Sequence, residues 1–225
     1  MNRFFIILTL LLIVVSCKKQ EHIGKYEHGR LEYKIIYLNE RIGGIDPSML
    51  PKKMVLEFDK KHCTNTIDGF MGFFKLGNQT YFHKKKSVTY LKVLDKSYVF
   101  NGKKHELMCC FDLFQDMVIQ VDTIKKSIAG LKSNHAVATI PSTGDSFDIY
   151  YTYDIALNRP NITNPYLNID GVLTDFVLFM GPYKMRFEAQ KFFPDKIPAS
   201  NISIPEDAVE VSREEMIYAL DRLMR

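Results

Sequence analysis

The chain is poorest in the signatures of catalysis. Its 225 residues contain no GxSxG elbow, HExxH helix, Walker loop, GxGxxG fingerprint, zinc-ribbon spacing or CxxC pair. Hydrolase, metalloprotease, nucleotide and thioredoxin-type chemistries therefore lack their usual sequence support. Tryptophan is absent, and no internal repeat or low-complexity tract is present, which excludes repeat architectures. Neither sign of charge dominates: 30 Lys and Arg against 26 Asp and Glu give a formal +4. The one basic cluster, His83-Lys84-Lys85-Lys86, reads as a solvated hairpin tip, and nothing argues for a nucleic-acid partner. The long apolar run from Phe4 to Val15 has 12 residues, short of the roughly 20 that a spanning helix needs.

That run does suit export. Arg3 supplies a positive n-region and Phe4 to Val15 the apolar h-region of a signal peptide. Val14-Val15-Ser16-Cys17 follows and resembles the bacterial lipobox, which implies diacylation of the Cys17 thiol and cleavage just before it. Each buried CH₂ contributes roughly 0.8 kcal/mol and one acyl chain holds only marginally, so two or three chains make a stable anchor. The expected organisation is a signal peptide over residues 1 to 16, a lipidated linker over 17 to 28 and one domain over 29 to 225. The expected place is the cell envelope, at the outer membrane and facing the periplasm. Removal of Arg3 with the signal lowers the charge to +3 and leaves 209 residues, enough for one sizeable domain.

Beyond Cys17 the cysteines are Cys63, Cys109 and Cys110. In an oxidising compartment a disulfide from Cys63 to one of the neighbouring pair would leave one thiol over, and buried or free cysteines are the other reading. A metal site would draw on His62, Cys63, His105, Cys109 and Cys110, but their spacing fits no known framework, so neither metal nor other cofactor is expected. The six histidines (His22, His28, His62, His83, His105 and His135) stand mostly beside lysines in segments that read as turns or strand ends, and are expected at the surface. Asp145 and Asp148 read as turn and solvent-face carboxylates. No catalytic residue is assigned, and the chain reads as a binding or structural protein, not an enzyme.

Period-two alternation dominates the mature chain, the mark of strands with one buried face. Leu31, Tyr33, Ile35 and Tyr37 alternate with Glu32 and Lys34; Met54, Leu56 and Phe58 with Glu57 and Asp59; Phe147, Ile149, Tyr151, Tyr153 and Ile155 with Asp148, Thr152 and Asp154; Tyr183, Met185, Phe187 and Ala189 with Lys184, Arg186, Glu188 and Gln190. Such strands belong to antiparallel sheets with one wet face. Turn signals fall at Gly43-Gly44, Asp68-Gly69, Gly77-Asn78, Asn101-Gly102, Ser142 to Asp145 and Gly181-Pro182. Asn101-Gly102 suits a tight hairpin, because both residues tolerate positive φ. About ten strands in a meander are expected.

Helix signals are few. Asp46-Pro47 can cap a short turn. At the C-terminus Ser212 and Glu215 form a capping box, and Met216, Ala219, Leu220, Leu223 and Met224 mark an apolar stripe. Asn164 to Phe179 fits either a loop with a short helix or a further strand.

With 16 Phe, 12 Tyr and 10 Met, such a sheet must cover many large side chains or leave some lining a cavity suited to apolar ligands. Inward positions on the alternating strands are the candidate ligand contacts: Met54, Leu56, Phe58, Phe147, Ile149, Tyr151, Met185 and Phe187. The rival reading is a fully packed sheet with no cavity, docking a protein partner in the envelope through an exposed apolar patch.

Four segments carry a family resemblance: GRLEYKIIY (Gly29 to Tyr37), MLPKKMVLEFDKK (Met49 to Lys61), TIKKSIAGLKSNHAVATI (Thr123 to Ile140) and FDIYYTYDI (Phe147 to Ile155). Together with the lipobox they resemble uncharacterised Bacteroidetes lipoproteins of the GLPGLI-like kind, whose fold is similar to that of the lipoprotein carrier LolA and its receptor LolB. Where those proteins often carry an aromatic and a cysteine after the glycine, Leu131 and Ser133 stand here. The resemblance implies a mainly β (α+β) fold: a curved antiparallel sheet forming an unclosed half-barrel, with a few covering helices, including a C-terminal one. It implies no activity, only a pocket that takes a lipid or the acyl chain of a lipoprotein. It also implies that Asp122-Thr123-Ile124 fits a short pattern for O-glycosylation.

Overall fold

A computed structural model describes residues 24–39, 46–109, 111–181, 183–194 and 201–223. The signal segment, Cys17 and the first part of the linker lie outside the described residues, as do Gly43-Gly44 and Met224. No helix among the described residues is long and apolar enough to cross a membrane.

The chain is mainly β. Among the described residues twelve strands form one sheet: β1 (Gly29–Tyr37), β2 (Lys53–Phe58), β3 (His62–Gly69), β4 (Phe74–Tyr81), β5 (Lys86–Val93), β6 (Lys96–Asn101), β7 (Val118–Ile128), β8 (Leu131–Ile140), β9 (Asp145–Thr152), β10 (Val172–Met180), β11 (Tyr183–Phe193) and β12 (Val209–Glu210). Their spatial order is β12-β6-β5-β4-β3-β2-β1-β11-β10-β9-β8-β7. The sheet is an unclosed half-barrel, with β12 and β7 as its edges. It is mixed where a purely antiparallel sheet is expected, because β12 pairs in parallel with β6.

The alternation in the sequence is realised strand by strand. On β11, Tyr183, Met185, Phe187 and Ala189 are buried while Lys184, Arg186 and Glu188 are half exposed. The ambiguous stretch resolves into a loop to Gly171 and then β10, every residue of which is buried or half-buried. The linker's last residues join the fold through a Tyr26–Ile155 bridge, and Ala156 N–H donates to the Tyr26 carbonyl at 2.7 Å.

Two expected turns are elsewhere. Gly77 and Asn78 lie inside β4, paired with Tyr90 and Thr89. Gly77 is there because Ile202 packs on it: a Cβ would meet the Ile202 Cδ1 at 3.1 Å. Asn101-Gly102 closes no hairpin; β5 and β6 are joined instead by Leu94-Asp95, with Leu94 at φ 55°, a conformation that hairpins usually give to glycine. The β7–β8 turn, Ala129-Gly130, has both residues at positive φ as a type I′ turn requires.

One α-helix is described, α1 (Arg213–Leu223). Its capping box forms as the spacing predicts: Glu215 N–H donates to Ser212 Oγ at 3.2 Å, and Ser212 N–H donates to Glu215 Oε2 at 2.7 Å. Met216 and Leu220 are fully buried in the core, so α1 covers part of the sheet's inner face. Asp46 caps the 3-10 turn Pro47–Met49 by accepting from Ser48 N–H at 2.7 Å.

Between β9 and β10 the ladder holds Val172↔Thr152, Leu173↔Tyr151 and Asp175↔Tyr150. Further along, Met108, Phe111 and Phe114 from the β6–β7 loop pack with Val177, Phe179 and Phe147. Val177 keeps both backbone partners: Tyr166 Oη donates to its carbonyl and accepts from its N–H. One phenol thus replaces ladder bonds that a buried backbone cannot do without.

Candidate functional site

Two adjoining cavities lie under α1 and the loop between β9 and β10. The inner one, about 80 Å³, is walled by Tyr33, Met54, Leu56, Leu173, Phe176 and Phe187, with Tyr166 and Asn161 from the loop above. The outer one, about 120 Å³, is walled by Tyr37, Leu50, Phe70, Phe74, Tyr183 and Leu220. Ile67, Leu76 and Met180 line both. Neither is lined by an Asp, Glu, Lys, Arg or His side chain. An engineered 150 Å³ apolar cavity holds one benzene, so each of these takes part of a chain and neither takes a whole lipid.

Aromatic packing shapes the apolar wall. Phe176 stacks on Phe187 at 5.1 Å between centroids, and Tyr33 meets Phe176 edge-on at 5.9 Å. Tyr33 Oη donates to the Leu173 carbonyl at 2.7 Å, tying β1 to the β10 bulge across the inner cavity. Burial pushes the Tyr33 and Tyr166 phenols far above their ordinary values, so both stay protonated donors.

The loop has its own scaffold. Asn161 Nδ2 donates to the Ile169 and Gly171 carbonyls at 2.8 and 2.9 Å, Asn164 Nδ2 donates to Asn161 Oδ1, and Asn164 Oδ1 accepts from Tyr166 N–H. Thr163 joins it to the sheet through Thr80 Oγ1 at 2.7 Å.

The outer cavity opens at an apolar lip. Phe70 and Met71 both have left-handed backbones, at φ 51° and 54°, and Met71 is 98% exposed. Phe73 and Leu94, also exposed, are joined by a Leu94 N–H to Phe73 carbonyl bond of 2.7 Å, and Met49 is exposed beside the lining residue Leu50. Non-glycine residues in this region cost roughly 1–3 kcal/mol each and concentrate at functional surfaces.

Of the residues expected to meet a ligand, Met54, Leu56 and Phe187 line the inner cavity and Met185 the outer. Phe58, Phe147, Ile149 and Tyr151 line neither. Phe58, fully buried, stacks on Phe192 at 6.4 Å; Phe147 lies beside Phe179; Ile149 and Tyr151 are core. Sequence reasoning missed Asn65, Asn78 and the loop residues, and had Asn78 marking a turn.

Cys63 is a free, buried thiol lining the inner cavity, and burial pushes its pKa up to about 12, so it is unreactive. The alternative of a Cys63 disulfide is therefore not realised, while Cys109 is disulfide-bonded. Among the described residues no group of three or more His, Cys, Asp or Glu could hold a metal.

Two histidines are buried where surface positions are expected. His62 sits 3.2 Å from the Asp59 carboxylate. His135 on β8 lies between Asp122 Oδ2 at 2.6 Å and Asp148 Oδ1 at 3.0 Å. Burial works against the His135 imidazolium, but the two carboxylates outweigh it and raise its pKa above the ordinary value. This contact pins a bulge in edge strand β7, where Asp122, Thr123 and Ile124 are all exposed.

No model of a known protein family matches the chain, and no curated protein matches it.

Proposed function

We propose that this chain is a lipid-anchored envelope protein, attached through Cys17 to the outer membrane and facing the periplasm, whose half-barrel binds an apolar ligand such as a lipid or the acyl chain of a lipoprotein. The observation that carries this reading is the pair of adjoining uncharged cavities, the outer opening beside Phe70, Met71, Phe73 and Leu94. Affinity comes from removing chain surface from water at roughly 25 cal/mol per Å². Met54, Met180 and Met185 let the walls adapt, because thioether side chains fill irregular gaps. Resemblance to GLPGLI-like lipoproteins supports the same reading.

Native mass spectrometry of the purified protein tests it. The expected result is a copurifying apolar molecule, or saturable binding of a fluorescent fatty-acid probe; a clean protein that ignores such probes overturns it. The anchor is tested separately, since Cys17→Ala should release the chain from membranes.

A second reading has its own support in the exposed lip: a docking surface for a protein partner in the envelope. Crosslinking in cells that returns one protein and no lipid would favour it.

A further inference from the structure

The inner cavity has a polar side that an all-apolar ligand would leave unsatisfied. Register places Leu56, Asn65, Asn78 and Thr89 in one row across β2, β3, β4 and β5. Asn65 and Asn78 both line the cavity. The other polar groups there are spent: Tyr33 on Leu173, Tyr166 on Val177, the Cys63 thiol on Thr80, and Asn161 and Asn164 on the loop. Asn78 Oδ1 accepts from Thr89 Oγ1 at 2.8 Å, which leaves its NH₂ group. Asn65 has no hydrogen-bond partner for either end of its carboxamide among the described residues. Two NH₂ donors and one acceptor therefore converge on an otherwise greasy chamber.

We infer that the ligand is a single-chain amphiphile with an uncharged hydrogen-bonding head group, an alcohol, amide or ester, whose head sits against Asn65 and Asn78 and whose chain runs toward the outer cavity. This rests on the apolar-ligand reading and adds the head-group chemistry to it. The chain's direction follows from the row order: Ile67 and Leu76, shared by both cavities, stand one inward-facing step nearer the mouth than Asn65 and Asn78. An ionised head is disfavoured because the cavity offers no charged partner for a desolvated carboxylate or phosphate. A second chain is disfavoured by volume, since 80 and 120 Å³ are each below the benzene-holding benchmark.

The test is a matched series on the full chain at about pH 8: decan-1-ol, decanamide and decanoate, read by native mass spectrometry and calorimetry. The alcohol and amide should bind at least about tenfold more tightly than the carboxylate, the equivalent of one hydrogen bond. Asn65→Leu should weaken the alcohol by about the same factor. Equal affinity for neutral and ionised heads, or an Asn65→Leu protein that binds decan-1-ol unchanged, overturns the head-group assignment and leaves the apolar-ligand reading standing. Failure of all three to bind the unmutated chain overturns the apolar-ligand reading itself. The head-group series needs no variant, so a misfolded Asn65→Leu does not cost the test.

Discussion

The walls on either side of the two cavities are built from different materials. The β10–β11 wall is aromatic and aliphatic: Phe176, Leu178 and Met180 opposite Phe187, Met185 and Tyr183 in register. The β3–β5 wall carries polar rows in the same kind of position, with Asn65, Asn78 and Thr89 in one and Cys63, Thr80 and Ser87 in the next. Both belong to one continuous sheet. The difference teaches that burial and stability are separable here: the aromatic wall holds the half-barrel together, while the polar wall gives up packing for hydrogen-bonding capacity.

The sharpest break of this contrast is truncation on the aromatic side. Phe187→Ala, at a fully buried ring stacked on Phe176, should cost about 3–5 kcal/mol in urea unfolding. Tyr166→Phe comes next, because it strips the phenol that serves both backbone groups of Val177. A buried backbone group left unpaired costs about 1–3 kcal/mol, so Tyr166→Phe should lose about 2 kcal/mol. On the polar wall, Asn65→Leu should change stability by less than about 1 kcal/mol, since the half-buried carboxamide has no protein partner to lose. A large loss at Asn65 would erase the distinction between the walls.

The smallest effect lies outside the cavity, on β7. His135 is held by Asp122 and Asp148 with its pKa raised above 6.5. Its charged contacts therefore stabilise the fold below about pH 6.5, and that contribution is lost as pH rises through the higher folded value. The Tm gap between the protein and His135→Gln should be widest near about pH 5.5 and close toward about pH 8.5. A gap that widens with pH contradicts the arrangement.

The aromatic wall was legible in the sequence and the polar wall was not, for one physical reason. Alternation marks a strand when large apolar side chains occupy every second site, as at Met54, Leu56 and Phe58 or Tyr183 to Ala189. β3 and β4 carry Asn65, Thr80 and Asn78 at those sites, polar residues whose usual habit is a turn or a surface, beside the small Cys63. Gly77-Asn78 reads as a turn locally, but pairing with β3 and β5 on both sides makes it a strand, and Ile202, far along the chain, packs where a Gly77 side chain would be. Leu94 misleads in the opposite sense, holding a positive-φ turn with a residue that rarely makes one. The capping box of α1 was legible because both of its hydrogen bonds are local. Tyr166 could not be read as a backbone partner, since the bond depends on where β9 and β10 part.

The account turns on a ligand inside the half-barrel and not on its surface, and methyl NMR on labelled methionines measures that directly. Titration with decan-1-ol should move Met54, Met108 and Met180, which line the inner cavity, in one saturable transition. Saturable shifts confined to Met49 and Met71 on the exposed lip, with the cavity methyls unmoved, would contradict it.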